Sequence, residues 1–306
     1  MVFGKGMFDI VTVGHFSIDS IILPKILAPT TTLGGPPTYV SLAARQLNSS
    51  VSVISKVGED FPSEHISWLK AKKVDLSGLE IVKGASTTSF FLRYENGKRK
   101  LQLKSRAPPI LSRDIPVSMT AKVIHVAPIV DELSLDVIKR LRTLTGILSL
   151  DPQGFLRRFD EFGRVKLKEW DGSEVLKQID LYKSSLREIK ILTGLANLQS
   201  AMKKIRSTGP KIVLITKGAM GSTLFFDGKF YDIPSCKPRI ILDPTGAGDT
   251  FIGAFLAEYI KGKDPLWCAC VGSAASSFVL EGVGPAVFGE KEEIYRRANK
   301  IYEKAA

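Results

Sequence analysis

The sequence predicts an α/β protein with a doubly wound, mainly parallel sheet that is flanked by helices and carries a small β lid. Short apolar runs alternate with helical patterns, and this alternation is typical of parallel strands joined by right-handed crossovers. A hairpin pattern interrupts the alternation after residue 86. Because no repeat, low-complexity segment or linker divides the chain, we expect a single domain over residues 1–306.

The elements of the main sheet follow in order along the chain. Buried strands are predicted where short apolar runs lead into turn residues, at 9–15, 51–58, 122–127, 146–151, 179–184 and 211–216. A second hairpin joins 222–226 to 229–232, and the apolar run 239–242 is predicted to end a further strand. Helices are predicted from the spacing of apolar residues, at 38–47, 63–72, 134–144, 186–193, 198–207, 251–260, 265–280 and 291–304.

The hairpin after residue 86 predicts the lid. Asn96-Gly97 is a dipeptide that strongly predicts a β-hairpin, and strand-like patterns flank it on both sides. Together with a predicted strand near residues 18–23, this hairpin can build a small second sheet. We expect a lid formed by about residues 17–34 and 86–105, because a small sheet beside a substrate site can close over it. A surface hairpin that caps a sheet edge is the alternative.

The composition argues against several classes of function. The net charge is +12, but Lys and Arg are spread along the chain in short doublets, so we expect no nucleic-acid partner. A positive field would instead steer anionic substrates to the protein. No apolar run reaches the length of about 18 residues that a membrane span needs, and the N-terminus is too short and polar for a signal peptide. We therefore expect a cytoplasmic protein with no membrane partner.

The segment from Leu242 to Phe251, LDPTGAGDTF, is the most informative stretch of the chain. Gly246 and Gly248 lie where a loop becomes a helix, so an anion can approach the backbone N–H groups without a Cβ in the way. The first turn of a helix also has unpaired N–H donors and the positive end of the helix dipole, and together these favour phosphate binding. Asp249 lies inside this site, either as an N-cap residue or as a general base.

This segment resembles the C-terminal signature of the ribokinase/PfkB family of carbohydrate kinases. The resemblance covers most of the chain, from Ile10 to about Gly284, and includes a Gly-Gly pair before a helix and a Thr-x-Gly-x-x-Gly element at 216–221. It implies a ribokinase-like fold, the cofactors ATP and Mg²⁺, and phosphoryl transfer to a hydroxyl of a small sugar or polyol. The resemblance also allows two further properties: a requirement for a monovalent cation and a homodimer that forms through the lid.

The resemblance also assigns roles to individual residues. Asp249 is expected to be the general base, with Gly246, Ala247 and Gly248 stabilising the transferred phosphate. The residues expected to bind the acceptor are Asp19, Gly34, Gly35 and Tyr39. The residues expected to bind the nucleotide are Lys183, Thr216, Lys217, Gly218, Gly221 and Ala275. Glu188 is expected to organise Mg²⁺ through water.

Two positions depart from the family pattern. Tyr39 stands where the family usually has the Asn that meets a sugar hydroxyl, and Ser185 replaces the Asn of an Asn-x-x-Glu element. Within the family the layout is closest to the myo-inositol kinase branch, on likenesses that include Asp151-Pro152-Gln153. Tyr39 affects which acceptor the site can bind. Ser185 affects the network that holds magnesium and phosphate.

We therefore expect an ATP-dependent kinase that acts on an inositol-like compound or a ring sugar. A nucleoside kinase of the same family is the alternative, since Tyr39, Phe16, Phe90 or Phe91 could form an apolar slot for a base. A non-catalytic sugar-binding or regulatory protein on the same fold is a rival from another class, and the intact glycine-rich loop argues against it. For Arg157 a surface position is favoured over a substrate contact.

Overall fold

The computed structural model describes residues 7–23, 28–95 and 98–305, which form 15 β-strands and nine α-helices. In chain order, strands β1 to β15 are Phe8–Val13, Ser17–Ile22, Thr30–Gly34, Val51–Gly58, Val74–Val82, Ser89–Glu95, Lys98–Ser105, Ala121–Val126, Thr145–Leu150, Arg157–Phe159, Val165–Leu167, Leu181–Ser185, Ile212–Thr216, Ser222–Phe226 and Lys229–Ile233. Helices α1 to α9 are Pro36–Gln46, Ser63–Ala71, Leu135–Arg142, Ser173–Leu176, Leu186–Thr193, Leu198–Thr208, Ala247–Tyr259, Pro265–Val279 and Lys291–Ala305.

The main sheet has nine strands in the order β15-β14-β13-β12-β9-β8-β1-β4-β5. All neighbours from β13 to β5 pair in parallel, whereas β14 and β15 pair antiparallel. One cluster of buried side chains joins the sheet to α1, α7, α8 and α9, and a second joins it to α3, α4, α5 and α6. Helices on both faces explain why central strands such as β4 are buried along their whole length.

A separate four-stranded sheet, in the order β3-β2-β6-β7, is formed by the segments expected to make the lid. Strands β6 and β7 pair antiparallel as the hairpin pattern predicts, although Asn96 and Gly97 themselves lie outside the described residues. The small hairpin β10–β11 extends this region, because Gln102 of β7 forms a β-bridge with Arg164. Lid residues such as Phe90 and Leu92 bury their side chains in a third apolar cluster.

The structure differs from the predicted secondary structure in several places, among them the short helix α4, which was not predicted. The run 239–242 is not a strand: β15 is already the edge of the sheet, and Ile240, Ile241 and Leu242 are exposed. The chain instead crosses to the end of α8, where the N–H of Leu242 donates to the carbonyl oxygen of Leu280 at 2.8 Å. Strand β5 and the hairpin β10–β11 were not predicted, because each lies at an edge and buries only part of its side chains.

The parallel strands bring their carboxyl ends to one edge of the main sheet. Polar residues follow β1, β9, β12 and β13 there, and α7 begins close by, as expected for a ligand site in a doubly wound fold. The doubly wound α/β prediction is therefore confirmed. Within the described part of the chain, no helix combines the length and the apolar character needed to cross a membrane.

Candidate active site

The glycine-rich loop is held in place by the buried carboxylate of Asp243. Its Oδ1 accepts a hydrogen bond from the N–H of Thr245 at 2.9 Å, and its Oδ2 accepts one from the N–H of Gly284 at 3.1 Å. Gly246 then takes a left-handed conformation with φ of +76°, and α7 begins at Ala247. This turn points the N-terminus of α7 towards the site, where an anion can bind, although the N–H of Ala247 also donates to the carbonyl oxygen of Pro244 at 3.4 Å.

The lid contacts this loop directly. The hydroxyl of Tyr94, on β6, donates to Oδ1 of Asp243 at 3.0 Å and lies 2.9 Å from Oγ1 of Thr245. The described structure is therefore one in which the lid lies against the glycine-rich loop.

Tyr39, on α1, packs against the glycine-rich loop. A Cβ on Gly246 would lie 2.3 Å from Cδ1 of the Tyr39 ring, so the ring and the loop are in direct contact. Tyr39 is 1% exposed, and its hydroxyl makes no hydrogen bond within the described residues. Burial, followed by the charges of Asp19, Asp243 and Asp249, raises the pKa of Tyr39 well above its usual value. The hydroxyl therefore stays neutral, because burial and the charges of carboxylates from both sides of the site oppose its ionisation.

The predicted acceptor residues come together on β2, β3 and the start of α1. Asp19 is 5% exposed, and a Cβ on Gly34 would lie 2.2 Å from its Oδ2. Gly35 caps α1 with φ of +83°, and a Cβ there would lie 2.3 Å from the carbonyl oxygen of His15. The Gly-Gly pair is thus needed for close approach of the backbone to Asp19 and to the end of β1.

Asp249 lies in the first turn of α7, and a chain of hydrogen bonds reaches its carboxylate. Nε2 of Gln153 donates to Oδ1 of Asp249 at 3.3 Å, and Oε1 of Gln153 accepts from Nη2 of Arg157 at 2.6 Å. Nη1 of Arg157 also donates to the carbonyl oxygen of Ile129 at 3.0 Å. Sequence reasoning missed this chain: Gln153 was noted only as a likeness to one branch, and Arg157, which is half-buried, was expected at the surface.

A buried ion pair lies beside the glycine-rich loop. Nζ of Lys183 is 2.5 Å from Oδ2 of Asp151, and a Cβ on Gly248 would lie 2.9 Å from the same Nζ. Burial disfavours the charged ammonium, but the negative charges of Asp151 and Asp249 outweigh burial and raise the pKa of Lys183. A permanent positive charge therefore lies next to the N-terminus of α7.

Glu188 and Ser185 form a capping box at the start of α5. The N–H and hydroxyl of Ser185 donate to Oε2 of Glu188 at 2.8 and 2.7 Å, and the N–H of Glu188 donates back to Oγ of Ser185. Ser185 therefore caps the N-terminus of α5, and an Asn at this position could cap the helix in the same way. Among the described residues no group of three or more His, Cys, Asp or Glu side chains forms a metal site. A carboxylate that meets hydrated Mg²⁺ through water does not need such a group, so the role of Glu188 stays a prediction.

Five of the residues that are predicted to bind the nucleotide lie at the end of β13 or on α8. They are Thr216, Lys217, Gly218 and Gly221 after β13, and Ala275 on α8. Nζ of Lys217 donates to Oδ1 of Asp232 at 2.7 Å, and this hydrogen bond is the main cause of the lowered pKa of Asp232. Ala275 is 3% exposed on α8. Contact of these residues with a nucleotide stays a prediction, as do the monovalent cation and the homodimer through the lid.

Comparison with known proteins identifies the family. A family model described as pfkB family carbohydrate kinase matches residues 7–291 of the chain.

The chain belongs to the PfkB family of carbohydrate kinases.

Relatives of this PfkB protein include kinases of two acceptor classes. Cytidine kinase from Thermococcus kodakarensis is 30% identical over 91% of this chain and 98% of that protein. Inositol 3-kinase from Oryza sativa subsp. japonica is 26% identical over 90% of this chain and 68% of that protein. A solved pyrophosphate-dependent kinase in the ribokinase family, complexed with a pyrophosphate analog and myo-inositol, has a TM-score of 0.80 at 27% identity and covers 94% of this chain and 99% of that chain.

These comparisons confirm three predictions. The PfkB protein has the ribokinase-like fold, its relatives and structural neighbours include the inositol kinase branch, and it is a phosphotransferase of the sugar and nucleoside kinase group. One structural neighbour is a complex with ATP and Mg²⁺, whereas the neighbour described above is pyrophosphate-dependent.

Proposed function

We propose that this protein is an ATP- and Mg²⁺-dependent kinase that transfers the γ-phosphate to a hydroxyl of a small ring sugar or polyol. The observation that carries the proposal is the position of Asp249. Its carboxylate lies in the first turn of α7, receives a hydrogen bond from Gln153, and raises the pKa of the Tyr39 hydroxyl on the acceptor side. Asp249 thus lies at the helix end, and its negative charge acts on Tyr39, one of the predicted acceptor residues.

On the acceptor side, Asp19 binds and orients hydroxyls, and Tyr39 bounds the site. Asp249 takes the proton of the attacking hydroxyl as the new O–P bond forms, which typically accelerates such reactions by about 10²–10⁴-fold. The hydrogen bond from Gln153 fixes the direction in which the Asp249 carboxylate points. The buried acceptor carboxylate and the general base therefore act on the same hydroxyl-bearing ring.

On the donor side, the backbone N–H groups of Gly246, Ala247 and Gly248 bind the phosphate that moves. Lys183, which Asp151 keeps protonated, adds positive charge beside Gly248. A bound Mg²⁺ ion would neutralise part of the charge of the phosphate oxygens. Glu188 would hold that ion through water, because Mg²⁺ prefers oxygen ligands and retains several waters.

The aromatic residues favour a polyol acceptor. Of the four rings that could form a slot for a base, three are buried: Tyr39 contacts Gly246, Phe16 packs on Phe61 at 5.9 Å between ring centroids, and Phe90 packs on Phe159 at 6.5 Å. With these rings engaged, hydroxyl groups are the feature that Asp19 can recognise.

A nucleoside is the second candidate acceptor. It is supported by the cytidine kinase relative, which aligns over almost its whole length, and by Phe91, which is half-buried and lines a cavity beside the lid. The ribose of a nucleoside offers the same adjacent hydroxyls as a ring sugar, so Asp19 and the Gly-Gly pair suit both classes.

A coupled assay of ADP release tests the proposal with a panel of inositols, ring sugars and nucleosides. Turnover of one class with ATP and Mg²⁺ identifies the acceptor. Asp249→Asn should lower kcat by about 10²-fold or more while ATP affinity stays nearly unchanged. Asp264→Asn is the matched control, because Asp264 is the N-cap of α8 and Asn caps a helix equally well.

Near-normal turnover by Asp249→Asn would exclude Asp249 as the base. The absence of ATP turnover with every acceptor would instead favour the non-catalytic sugar-binding protein.

A further inference from the structure

Four stretches of the described chain connect the lid strands to the main sheet and its helices: residues 14–16, residue 35, residues 83–88 and those that follow residue 105. His15 lies where these stretches meet, and its side chain is fully buried. Its ring contacts Thr88 in the third stretch and Pro108 in the fourth, and its carbonyl oxygen would lie 2.3 Å from a Cβ on Gly35. One residue thus contacts all four connections. We call His15, Thr88, Ala107 and Pro108 the hinge cluster.

Each hydrogen bond of the hinge cluster has a defined direction. Nε2 of His15 is 3.0 Å from the carbonyl oxygen of Pro108, which can only accept, so Nε2 carries the hydrogen and donates. Burial lowers the pKa of His15 in spite of the charge of Glu132, so the ring is neutral near neutral pH and Nδ1 is an acceptor. The hydroxyl of Thr88 therefore donates to Nδ1 at 2.9 Å, and its oxygen accepts from the N–H of Ala107, also at 2.9 Å. Both ring nitrogens thus bond to stretches that carry the lid.

The backbone around His15 is bonded to the main part of the protein. The N–H of His15 donates to Oε1 of the buried Glu132 at 3.0 Å, and Oε2 of Glu132 accepts from the N–H of Val130 at 2.8 Å. The N–H of Phe16 donates to Oγ of Ser55, on β4, at 3.0 Å. His15 is therefore fixed to the main sheet by its backbone, while its ring holds two of the stretches that carry the lid.

The hinge cluster is bonded to the strand that carries the predicted acceptor residue Asp19. The carbonyl oxygen of Thr88 accepts from the N–H of Ile18 at 2.9 Å, and Ile18 precedes Asp19 on β2. Thr88 thus bonds to His15 through its hydroxyl and to the neighbour of Asp19 through its carbonyl group. A shift of Thr88 would move the backbone of β2 at this point. The Asp19 carboxylate has little room to compensate, because a Cβ on Gly34 would lie only 2.2 Å from its Oδ2.

We infer that His15 is a positioning residue for phosphoryl transfer: through Thr88 it holds the lid, and with it Asp19, at a fixed place relative to the glycine-rich loop. An apolar side chain of similar size would fill the same space, but it would leave the Thr88 hydroxyl and the Pro108 carbonyl group without the bonds that define this place. The effect of His15 on the acceptor passes through Thr88 and Ile18. The effect on Asp19 rests on the proposed kinase function, whereas the link between the lid and the main sheet does not.

Hydrogen–deuterium exchange of the full-length protein tests the link without an assay of activity. His15→Leu removes both ring bonds, and Thr88→Val removes the bond they share with a side chain of the same shape. The matched control is Arg142→Met, which also removes bonds between separate stretches, from a guanidinium to backbone carbonyl oxygens, but at the amino ends of β9 and β12. We expect the amide of Ile18 to exchange at least about fivefold faster in both hinge variants and within about twofold of wild type in the control.

An Ile18 amide that exchanges at the wild-type rate in both hinge variants would overturn the inference. Equally faster exchange in the control would also overturn it, because it would reflect only a general loss of stability.

Steady-state kinetics test the effect on Asp19. An acceptor that binds the lid carboxylate can itself restore the lid position at saturation. Both hinge variants should therefore raise KM for the acceptor by about fivefold and leave kcat within about twofold, whereas Arg142→Met should leave this KM unchanged. In the Asp19→Asn background, His15→Leu should raise KM by less than about twofold, because residues that act along one path are not additive.

A lower kcat with an unchanged KM for the acceptor would overturn the inference, because loss of folded protein reduces the number of active molecules and not their affinity. A rise in KM of the same size in the Asp19→Asn background would overturn the path through Asp19. If no acceptor is turned over, the proposed function fails, while the exchange measurements still decide whether His15 holds the lid.

Discussion

Replacement of Tyr39 by phenylalanine should make the free protein more stable and its acceptor binding weaker. The Tyr39 hydroxyl is buried and makes no hydrogen bond within the described residues, so nothing there compensates for its lost hydration. Because burial and nearby carboxylates raise its pKa well above 10.0, the hydroxyl stays neutral in any ordinary assay. It is therefore a neutral donor that an acceptor oxygen can satisfy.

The expected gain in stability follows from the cost of an unpaired buried hydroxyl, which is about 1–3 kcal/mol. An unfolding entropy of about 2.1 cal/mol/K per residue, taken over 306 residues, gives about 640 cal/mol/K. The melting temperature of Tyr39→Phe should therefore rise by about 1.5–5 °C. Tyr295→Phe is the matched control: its hydroxyl donates to Oε1 of the buried Glu258 at 2.8 Å, so its removal should lower the melting temperature.

Kinetics supply the second half of the assay. If the acceptor satisfies the Tyr39 hydroxyl, Tyr39→Phe should raise KM for the acceptor by about 2- to 12-fold, which corresponds to one hydrogen bond, and leave KM for ATP unchanged. A lower melting temperature together with an unchanged acceptor KM would refute this reasoning, because the hydroxyl would then be bonded within the protein.

Three further predictions concern the buried centre of the site. Gly246→Ala should abolish turnover and lower the melting temperature, because the new Cβ would lie 2.3 Å from the Tyr39 ring at a φ of +76°; an active, stable variant would contradict this. Lys183→Met should lower the free energy of unfolding by about 3–5 kcal/mol in chemical denaturation, because Asp151 keeps a buried charge without its partner; a loss below about 1 kcal/mol would show that the pair is dispensable. Burial, followed by the charge of Lys183, lowers the pKa of His125 from 6.5 to about 3, so the unfolded chain binds a proton that the folded protein does not. Stability should therefore fall by about 1.4 kcal/mol per pH unit from this group as the pH drops below 6.5, and His125→Asn should reduce the slope between pH 6.5 and about 5, whereas an unchanged slope would assign it to other groups.

The predictability of the fold depended on how completely each strand is buried. Strands such as β4 and β13 are buried along most of their length because helices cover both sheet faces, and the sequence pattern located them. Strand β5 alternates irregularly between half-buried and exposed residues at the sheet edge, so its pattern is weak. The run 239–242 shows the opposite case, since Ile240 and Ile241 are apolar although they are exposed. Hydrophobicity predicts burial only where the fold supplies a partner surface.

The candidate site shows the same division between local and distant causes. The glycine-rich loop could be predicted because its glycines, Asp249 and the start of α7 are adjacent in sequence, and their spacing alone creates a helix end open to an anion. Lys183 and Asp151 are 32 residues apart, and Gln153 and Asp249 are 96 apart. No periodicity or spacing links residues so distant, so these contacts became visible only when β9, β12 and α7 met at one edge of the sheet.

Hydrogen bonds from Tyr94 join the lid to the glycine-rich loop, so we expect acceptor binding and donor binding to be linked. Opening the lid must break the bond from Tyr94 to Asp243, the same carboxylate that holds the N–H groups of Thr245 and Gly284. We therefore expect the shape of the predicted phosphate-binding turn to depend on whether the lid is closed. For the same reason we expect a ligand that orders this turn to favour the closed lid, which excludes water from the transfer reaction.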